Sequence, residues 1–407
     1  MGMAPADKQM AIIRSGTVEI LPEGDLEKKL ARSVAENRPL RVKQGFDPTA
    51  PDIHLGHTIG LRKLKQFQDL GHQVILIVGD YTGMVGDPSG RSATRPRLTE
   101  EEVRRNAETY LTQFFKVLDR AHTEIRWNGE WFSKMTFAEI MQLASRMTVA
   151  RMLERDDFET RYRAGEPISI HEMFYPLMQA YDSVAMRADV EIGGTDQKFN
   201  LLAGRQIQED YGVPAQAILT LPILVGTDGT ARMSKSTGNY IGVDDPPGEM
   251  FGKTMSIPDE QIVPYFELAA DVPLERIAAA RRELEGGANP RDLKMELAET
   301  FVRMYHGAEA ARAARAEFVQ QFSERRAPDE IETFTIRTGA ATMRLAEIIC
   351  TAGGAASLGE AKRKIKQGGV QIDETRQTDP LGDIPTGTAF VLKVGKRFYR
   401  RIEFAKE

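Results

Sequence analysis

Two histidines three residues apart, His54 and His57, stand where a strand-like segment turns into a helix. The segment 45–57 reads Gly-Phe-Asp-Pro-Thr-Ala-Pro-Asp-Ile-His-Leu-Gly-His. The unpaired amides and the dipole at a helix start attract an anion, and both imidazoles can donate to one phosphoryl oxygen. Gly56 lets a nucleotide approach the backbone closely. The pattern predicts a phosphate site, and the plainer alternative is a helix cap beside a surface residue.

A second group with phosphate chemistry lies far downstream, in the segment 231–239, which reads Ala-Arg-Met-Ser-Lys-Ser-Thr-Gly-Asn. It follows the apolar run 218–225. Small hydroxyl residues and glycine favour a mobile loop with many amide donors, while Arg232 and Lys235 offer positive charge to a polyphosphate. The alternative is an ordinary basic surface loop.

A third group consists of Tyr175, Gln179 and Asp182, which are spaced four and then three residues apart. That spacing places all three side chains on one face of a helix. The apolar neighbours Phe174 and Leu177 favour burial, and buried polar groups must be satisfied by one another or by a ligand. The alternative is a solvent-facing helix surface.

The elements around the histidines form a βαβ unit, with a strand at 41–46, a helix at 55–70 and a buried strand at 73–78. Gly71 suits the left-handed cap that ends such a helix. The uninterrupted apolar character of the second strand favours a Rossmann-like, doubly wound parallel sheet of the α/β class. Ligands of such sheets bind at the carboxyl ends of the strands.

The chain of 407 residues is long enough for two or three domains. We predict a catalytic nucleotide-binding domain at 1–245 with a helical insertion at about 98–187, an α-helical domain at 246–328, and a small α+β domain at 339–407. A linker is expected at 326–329. In the last domain, helices near 345–366 precede strands around 370–372 and 390–394. Insertions of this kind often carry dimer contacts.

Basic residues concentrate at the carboxyl end, although the whole chain carries a net charge of −5. Residues 340–407 contain twelve Lys or Arg and eight Asp or Glu, a surplus of four positive charges. Such a surplus suits contact with a phosphate backbone, whereas a solvated charged face is the alternative. The candidate RNA contacts are Lys362, Arg363, Lys364, Lys366, Lys396 and Arg397.

The single cysteine, Cys350, excludes an internal disulfide framework and a cysteine-based zinc cluster. No apolar run reaches the roughly 18 residues of a membrane span, and the amino terminus lacks a hydrophobic signal core. These features predict a cytoplasmic protein with no membrane partner.

The two phosphate motifs, in this order, resemble the signatures of class I aminoacyl-tRNA synthetases, with Arg232 in place of the usual first lysine. The segment 175–182, Tyr-Pro-Leu-Met-Gln-Ala-Tyr-Asp, is similar to the substrate helix of bacterial tyrosyl-tRNA synthetases. The runs 78–91 and 192–197 match that family too, and residues 339–407 resemble an RNA-binding domain of the ribosomal protein S-four type. The resemblance covers nearly the whole chain.

The resemblance implies that tyrosine and ATP form tyrosyl-adenylate and pyrophosphate, and that tyrosine then passes to the 3′ end of tRNA(Tyr). It implies phosphate-handling roles for His54, His57, Thr49, Lys235, Arg232, Arg91 and Arg95. It implies tyrosine contacts for Tyr175, Gln179, Asp182, Asp87, Lys43 and Gln197. It implies ATP contacts for Gly45, Asp47, Gly56, His57, Gly194, Asp196, Met233, Ser234 and Lys235. Mg²⁺ is expected with ATP, zinc is not expected, and a homodimer is expected.

One departure from the family pattern concerns Lys43, which stands where the best-known bacterial enzymes have a tyrosine that touches the substrate hydroxyl. Lys43 either donates to the phenol oxygen or pairs with a carboxylate. Three alternatives to tyrosine activation are tryptophan activation, another nucleotidyltransferase with a His-x-Gly-His motif, and an RNA-binding protein built on an inactive synthetase scaffold.

Overall fold

The computed structural model describes residues 3–48, 53–88, 99–235, 237–323, 331–373, 375–395 and 398–405. They form two compact units, Met1–Phe318 and Val319–Glu407.

The strands of the first unit are β1 (Glu19–Leu21), β2 (Arg41–Phe46), β3 (Gln73–Val78), β4 (Thr123–Trp127), β5 (Val190–Gly194) and β6 (Ala217–Leu221). They form one sheet in the order β1-β6-β5-β2-β3-β4. Strand β1 runs antiparallel to β6, and the other neighbours are parallel. The predicted α/β class with a doubly wound, mostly parallel sheet is confirmed.

The helices of the first unit up to the last strand are α1 (Ala6–Arg14), α2 (Asp25–Glu36), α3 (Leu55–Asp69), α4 (Thr82–Val85), α5 (Glu100–Phe114), α6 (Gly129–Phe132), α7 (Phe137–Ala144), α8 (Val149–Met152), α9 (Asp156–Ala164), α10 (Phe174–Met186) and α11 (Lys198–Asp210). Gly71 has a φ of +89°, so the predicted left-handed cap after α3 is confirmed. Strand β4 lies inside the stretch expected to be mainly helical, which is a correction to that expectation. Its polar sequence, Thr-Glu-Ile-Arg-Trp, belongs to an edge strand of intermediate burial, which gives no apolar strand signal.

The remaining helices of the first unit are α12 (Pro247–Met255), α13 (Ile262–Leu268), α14 (Leu274–Glu285), α15 (Pro290–His306) and α16 (Ala308–Ser323), the last of which extends past residue 318. Phe251, Tyr265 and Phe301 from these helices share one hydrophobic cluster with Val42 and Leu76 of the sheet. The helical stretch and the sheet therefore have a common core. The predicted helical character after residue 246 is confirmed, and the predicted domain limits stay predictions.

The second unit has a core of its own, which includes Leu345, Ile349, Ile365, Leu392 and Ile402. Its helices are α17 (Leu345–Thr351) and α18 (Leu358–Lys366), and its strands are β7 (Thr333–Arg337), β8 (Thr342–Arg344), β9 (Val370–Ile372), β10 (Thr375–Gln377), β11 (Asp383–Pro385), β12 (Phe390–Val394) and β13 (Phe398–Ala405). Five strands pair in the order β10-β9-β12-β13-β7, and β11 pairs with β8. The predicted helix pair and strands β9 and β12 are confirmed. The predicted linker lies outside the described residues.

Across the described ranges, no helix has both the length and the apolar character needed to cross a bilayer.

Candidate active site

The carboxyl ends of β2, β3 and β5 open into a cavity of about 270 Å³. Parallel strands end at the same edge of the sheet, so residues far apart in the chain meet there. Of the predicted site residues, Gly45, Asp47, His57, Asp87, Tyr175, Gln179, Asp182, Gly194 and Gln197 line this cavity. The structure therefore brings the predicted amino-acid and nucleotide residues together in one cavity.

Asp182 lies on the buried face of α10 and is only 4% exposed. The indole Nε1 of Trp131 donates to its Oδ1 at 2.9 Å, and Nδ2 of Asn128 lies 3.4 Å from its Oδ2. Burial raises the pKa of Asp182 to about 7, while the nearby Lys43 ammonium and these two donors oppose the rise. The cavity thus contains a buried carboxylate whose remaining acceptor capacity faces the ligand space.

Gln179 lies one turn before Asp182 on the same helix, and its amide has a defined orientation. Its Oε1 accepts from Nδ2 of Asn200 at 2.8 Å, and its Nε2 donates to Oε1 of Glu191 at 3.2 Å. Asn200 also donates to Oε1 of Gln197 at 3.0 Å. Gln197 in turn donates to Oδ2 of Asp87 at 2.8 Å. This chain of hydrogen bonds holds three acceptors, from Gln179, Gln197 and Asp87, around one end of the cavity.

Asp47, which directly follows strand β2, lines the same cavity. Its Oδ2 accepts from the Tyr175 hydroxyl at 2.9 Å, and its Oδ1 accepts from Thr82 Oγ1 at 2.7 Å. A side chain at Gly79 would place its Cβ 2.0 Å from Asp47 Oδ1 and 2.2 Å from Thr82 Oγ1. Only glycine therefore fits beside this carboxylate.

His54 and His57 stack with ring centroids 3.9 Å apart at the start of α3. The backbone amide of His54 donates to Nδ1 of His57 at 3.2 Å, and Nδ1 of His54 is buried with no hydrogen-bond partner among the described residues. Desolvation lowers the pKa of His54 to about 3 and that of His57 to about 4, and the positive charge of Lys235 adds to both shifts. Both rings are therefore neutral near pH 7.

The backbone of the histidine turn is attached to the chain that follows the basic loop. Residues His54 and Gly242 form an antiparallel bridge, and Leu55 N donates to Ile241 O at 2.9 Å. A Cβ at Gly56 would lie 3.0 Å from the His54 ring, so glycine preserves this close packing.

The basic loop itself lies against the histidine turn. Gly56 N donates to Sδ of Met233 at 3.4 Å, and Met233 is buried. Lys235 is close enough to both histidines to lower their pKa values, and its Nζ lies 5.9 Å from the centroid of the Tyr240 ring. The two sequence motifs, separated by nearly 180 residues, therefore meet in space.

Arg232 and Asp196 flank the cavity and do not line it. Desolvation and the nearby Asp87 raise the pKa of Asp196, and Arg232 opposes that rise. Arg232 of the basic loop therefore lies close enough to Asp196, just after β5, to interact with its charge. The amide of Ser234 donates to Oδ1 of Asn239 at 2.8 Å.

Lys43 also does not line the cavity. It lies behind α10, only 1% exposed, with its Nζ 3.1 Å from Oε1 of Glu191. Of the two predicted alternatives, the structure has the carboxylate pairing. Thr49, Arg91, Arg95, Lys396 and Arg397 lie outside the described residues.

The candidate RNA contacts of the second unit that the structure describes lie on α18. Lys362, Arg363 and Lys366 are exposed. Lys364 is partly buried, with its Nζ 2.9 Å from Glu360 and donating to the Gly354 carbonyl at 3.1 Å. Three of these four side chains are therefore available to an outside partner.

Within the described ranges, no group of three or more His, Cys, Asp or Glu side chains is arranged to hold a metal ion.

Sequence reasoning missed several residues of the site, namely Thr82, Asn128, Trp131, Glu191, Asn200 and Asn239. Asn239 closes the basic motif, so its place in Lys-Ser-Thr-Gly-Asn was a usable signal. Trp131 is one of two tryptophans in the chain, and a buried indole needs an acceptor. Thr82 lies within the run 78–91 that resembles the family, and the other three carried no signal in the linear sequence.

The chain is similar to proteins of known activity. The family model "tRNA synthetases class I (W and Y)" matches residues 35–323. The tyrosine–tRNA ligase of Moorella thermoacetica is 54% identical over 396 residues, which cover 97% of this chain and 95% of that protein. The tyrosine–tRNA ligase of Thermotoga maritima is 51% identical over 397 residues, which cover 97% of each.

Solved structures show the same fold at lower identity. The tyrosyl-tRNA synthetase from Archaeoglobus fulgidus, complexed with L-tyrosine, aligns with a TM-score of 0.63 at 24% identity and covers 77% of this chain and 100% of that one. The C-terminally truncated mitochondrial tyrosyl-tRNA synthetase of Aspergillus nidulans aligns with a TM-score of 0.63 at 22% identity, covering 78% of this chain and 99% of that one.

Proposed function

Because the chain belongs to the tyrosine–tRNA ligases within the class I tRNA synthetase family, we propose that its cavity binds L-tyrosine beside ATP and forms tyrosyl-adenylate. Tyrosine then passes to the 3′ end of tRNA(Tyr). The observation that carries the choice of amino acid is the buried carboxylate of Asp182, on the same helix as Gln179 and Tyr175.

The phenol of tyrosine donates to Asp182 in this proposal. A buried acceptor left unpaired by phenylalanine costs binding energy, and the discrimination of about 10⁵ against phenylalanine quoted for tyrosyl-tRNA synthetase itself is the established example of that effect. An ammonium group has three donors. The acceptors of Gln179, Gln197 and Asp87 supply its partners at the other end of the cavity, together with Tyr175.

The tyrosine carboxylate attacks the α-phosphate of ATP in line, so the protein acts by orienting the reactants and stabilising charge. His54 and His57 are neutral and donate to phosphoryl oxygens, as does Thr49 in the sequence-based assignment. Lys235 holds the leaving pyrophosphate, with Arg232 and the sequence-assigned Arg91 and Arg95. Asp47, Gly56, Gly194, Asp196, Met233 and Ser234 complete the nucleotide side.

Mg²⁺ comes with ATP in this proposal and is held by its phosphates, with no dedicated protein ligand set. We place the reaction in the cytoplasm.

The second unit binds tRNA through the exposed basic face of α18 in this proposal. The positive surplus after residue 340 supports it, since neutralised phosphates release counterions and favour association. Binding should weaken steeply with rising salt. Replacing Lys362, Arg363 and Lys366 together by glutamine should reduce that salt dependence by about three counterion-releasing contacts, whereas an unchanged slope would exclude this face.

Exchange of pyrophosphate into ATP, run separately with each of the twenty amino acids, tests the proposal. Tyrosine alone should support rapid exchange. Preference for tryptophan, or exchange with a different acid, would reassign the cavity, and no exchange with any amino acid would favour an RNA-binding protein on an inactive scaffold. Asp182→Asn is the matched variant, because it keeps the shape of the side chain and loses its charge.

We also propose a homodimer through the insertion. Phe137, Met141, Val149, Tyr162 and Ile170 are large apolar side chains in that stretch, each more than half exposed. Apolar exposure of this kind favours a protein contact. Phe137→Glu combined with Ile170→Glu should convert a dimer to a monomer in analytical ultracentrifugation, and a parent protein that sediments as a monomer would refute the proposal.

A further inference from the structure

A buried ion pair joins the two strands that lie behind α10. Lys43 on β2 and Glu191 on β5 are direct register partners in the parallel sheet. Their charged atoms are 3.1 Å apart, and both side chains are 1% exposed. Removing two charges from water is costly, and apolar residues of similar size often fill such space at no loss of stability. The pair therefore calls for a role beyond packing.

Both members of the pair contact α10. Lys43 Nζ donates to the backbone carbonyl of Gln179 at 3.1 Å. Glu191 accepts from Nε2 of Gln179 at 3.2 Å through Oε1, and from Ser183 Oγ at 3.0 Å through Oε2. Gln216 also donates to Oε2 of Glu191. These bonds attach one turn of the helix to the sheet.

Glu191 also decides which way the Gln179 amide points. A charged carboxylate only accepts hydrogen bonds, so the amide nitrogen must face Glu191. The amide oxygen then faces Asn200, which donates to it at 2.8 Å. Gln179 therefore presents an acceptor on the side where the ammonium of the substrate is expected.

Asp182 lies on the same turn, between Gln179 and Ser183, and feels both members of the pair. Burial raises the pKa of Asp182, Lys43 opposes that rise, and Glu191 adds to it with a weaker effect. The donors that contact its carboxylate, Trp131 and Asn128, are uncharged.

The other titratable groups near Asp182 line the cavity or belong to its own helix. They are Asp47, His57, Asp87, Tyr110, Tyr175 and Tyr181. On this side, helix α11 contributes the uncharged amides of Asn200 and Gln208 to its hydrogen bonds with α10. Lys43 is thus the cation among the described groups that stabilises the charge of Asp182.

We propose that Lys43 and Glu191 are positioning residues for tyrosine selection: Glu191 orients the Gln179 amide, and Lys43, held against Glu191 and the Gln179 carbonyl, places a positive charge behind the helix turn that carries Asp182, without either residue touching the substrate. This inference rests on the proposed function, since it takes tyrosine as the ligand. It assigns the buried pair a role in specificity that neither residue could have alone.

The test uses Lys43→Met and Glu191→Gln, with the KM for tyrosine measured in pyrophosphate exchange between about pH 6 and about pH 9. Without the lysine charge, Asp182 should take up a proton at higher pH, so the rise in KM on the acid side should move to higher pH. Without the Glu191 charge, that rise should move to lower pH. Each unit of displacement changes KM on the acid side by about tenfold. The KM for ATP should stay unchanged in both variants.

Three controls make the test decisive. Lys43→Arg keeps the positive charge, so the rise in KM on the acid side (the acid limb) should stay at the same pH. Asp182→Asn should remove the limb. The double variant Lys43→Met with Glu191→Gln has no unpaired buried charge, which protects folding, and should still show the limb at higher pH because the stronger of the two influences has gone.

Two results would overturn the inference. If both single variants raise KM by a constant factor at every pH, the pair only supports packing. If Lys43→Met raises KM without moving the limb while Glu191→Gln is silent, Lys43 donates directly to the phenol oxygen. Failure of the proposed function would be distinct, since the parent protein would then show no tyrosine-dependent exchange.

Discussion

Replacing Asn239 by alanine should slow adenylate formation and leave tyrosine binding unchanged. Asn239 is 4% exposed. Its Oδ1 accepts from Ser234 N at 2.8 Å and from Thr237 Oγ1 at 2.7 Å, and its Nδ2 donates to Asp228 Oδ2 at 2.8 Å and to Arg232 O at 3.1 Å. One side chain thus fixes both sides of the basic loop.

The magnitude follows from those bonds. A neutral hydrogen bond contributes about 0.5–1.5 kcal/mol net, and the bonds to Ser234 N and Arg232 O directly hold the backbone on either side of Met233. Losing this pair removes about 1–3 kcal/mol of preference for the ordered loop, which corresponds to roughly 5- to 150-fold in population. Because Lys235 belongs to the same loop, its placement beside the paired histidines weakens by the same factor.

The assay is the single-turnover rate of tyrosyl-adenylate formation at saturating substrates, with equilibrium binding of tyrosine measured in parallel. The rate should fall within that range, and tyrosine affinity should stay constant. Thr237→Val is the matched control, since it removes the bond from the Thr237 hydroxyl to Asn239 and keeps the bonds to Ser234 N and Arg232 O, so it should have a smaller effect. A fully active Asn239→Ala protein, or one that loses tyrosine affinity as much as rate, would refute the reasoning.

Four further outcomes are expected. The pKa of Asp182 is raised from 3.8 to about 7, so between these pH values the folded protein holds a proton that the unfolded chain has lost. Stability therefore falls as pH rises through that window. Asp182→Asn should melt at a higher temperature than the parent above about pH 7, and equal melting temperatures there would contradict the assignment. His57→Ala should slow adenylate formation by roughly 10²- to 10³-fold if the ring acts like an oxyanion donor. At saturating tyrosine, the parent rate should show no histidine titration above about pH 5, because burial keeps both rings neutral; a fall in rate below about pH 6.5 that His57→Ala removes would argue otherwise. Gly56→Ala should lower the same rate, since its Cβ would press on the His54 ring at 3.0 Å, and an unaffected rate would show that the stacking is not needed. Removing the chain from residue 324 should preserve pyrophosphate exchange and abolish efficient charging of tRNA, since the first unit has its own core, and equal charging by both forms would deny the second unit a role.

The βαβ unit around the histidines could be predicted because its signals are local. An unbroken apolar strand, an amphipathic helix and Gly71 after it are all visible in a short window of sequence. The same holds for the face formed by Tyr175, Gln179 and Asp182, since helical spacing depends only on the local period. The structure places these three side chains on the cavity.

The partners of that face could not be predicted, because they depend on tertiary register. Trp131 and Asn128 reach Asp182 only because β4 adds to the sheet beside β3. Glu191 faces Lys43 only because β5 pairs with β2 in one register. A shift of one residue would turn either side chain to the opposite face of the sheet. Pairing of Lys43 with a carboxylate could be predicted from the sequence, but the identity of that carboxylate could not.

The charges around the cavity also separate into two ends, and this separation bears on how the proposed reaction is directed. Asp87 and Asp182 line the proposed amino-acid side, whereas Lys235 lies by the histidines on the proposed phosphate side. The ammonium group of one substrate and the polyphosphate of the other therefore meet electrostatic fields of opposite sign at the two ends of the cavity. The reacting atoms lie between these ends.

The paired histidines occupy that boundary as neutral rings. A neutral imidazole still donates a hydrogen bond, yet it adds no fixed positive charge that would bind ground-state ATP as tightly as the transition state. Interactions that strengthen only as negative charge grows on the phosphoryl oxygens raise the rate of the chemical step. Lys235 helps to keep the rings neutral, so the cation proposed to hold the pyrophosphate also influences the protonation state of the histidines proposed to stabilise the reacting phosphate.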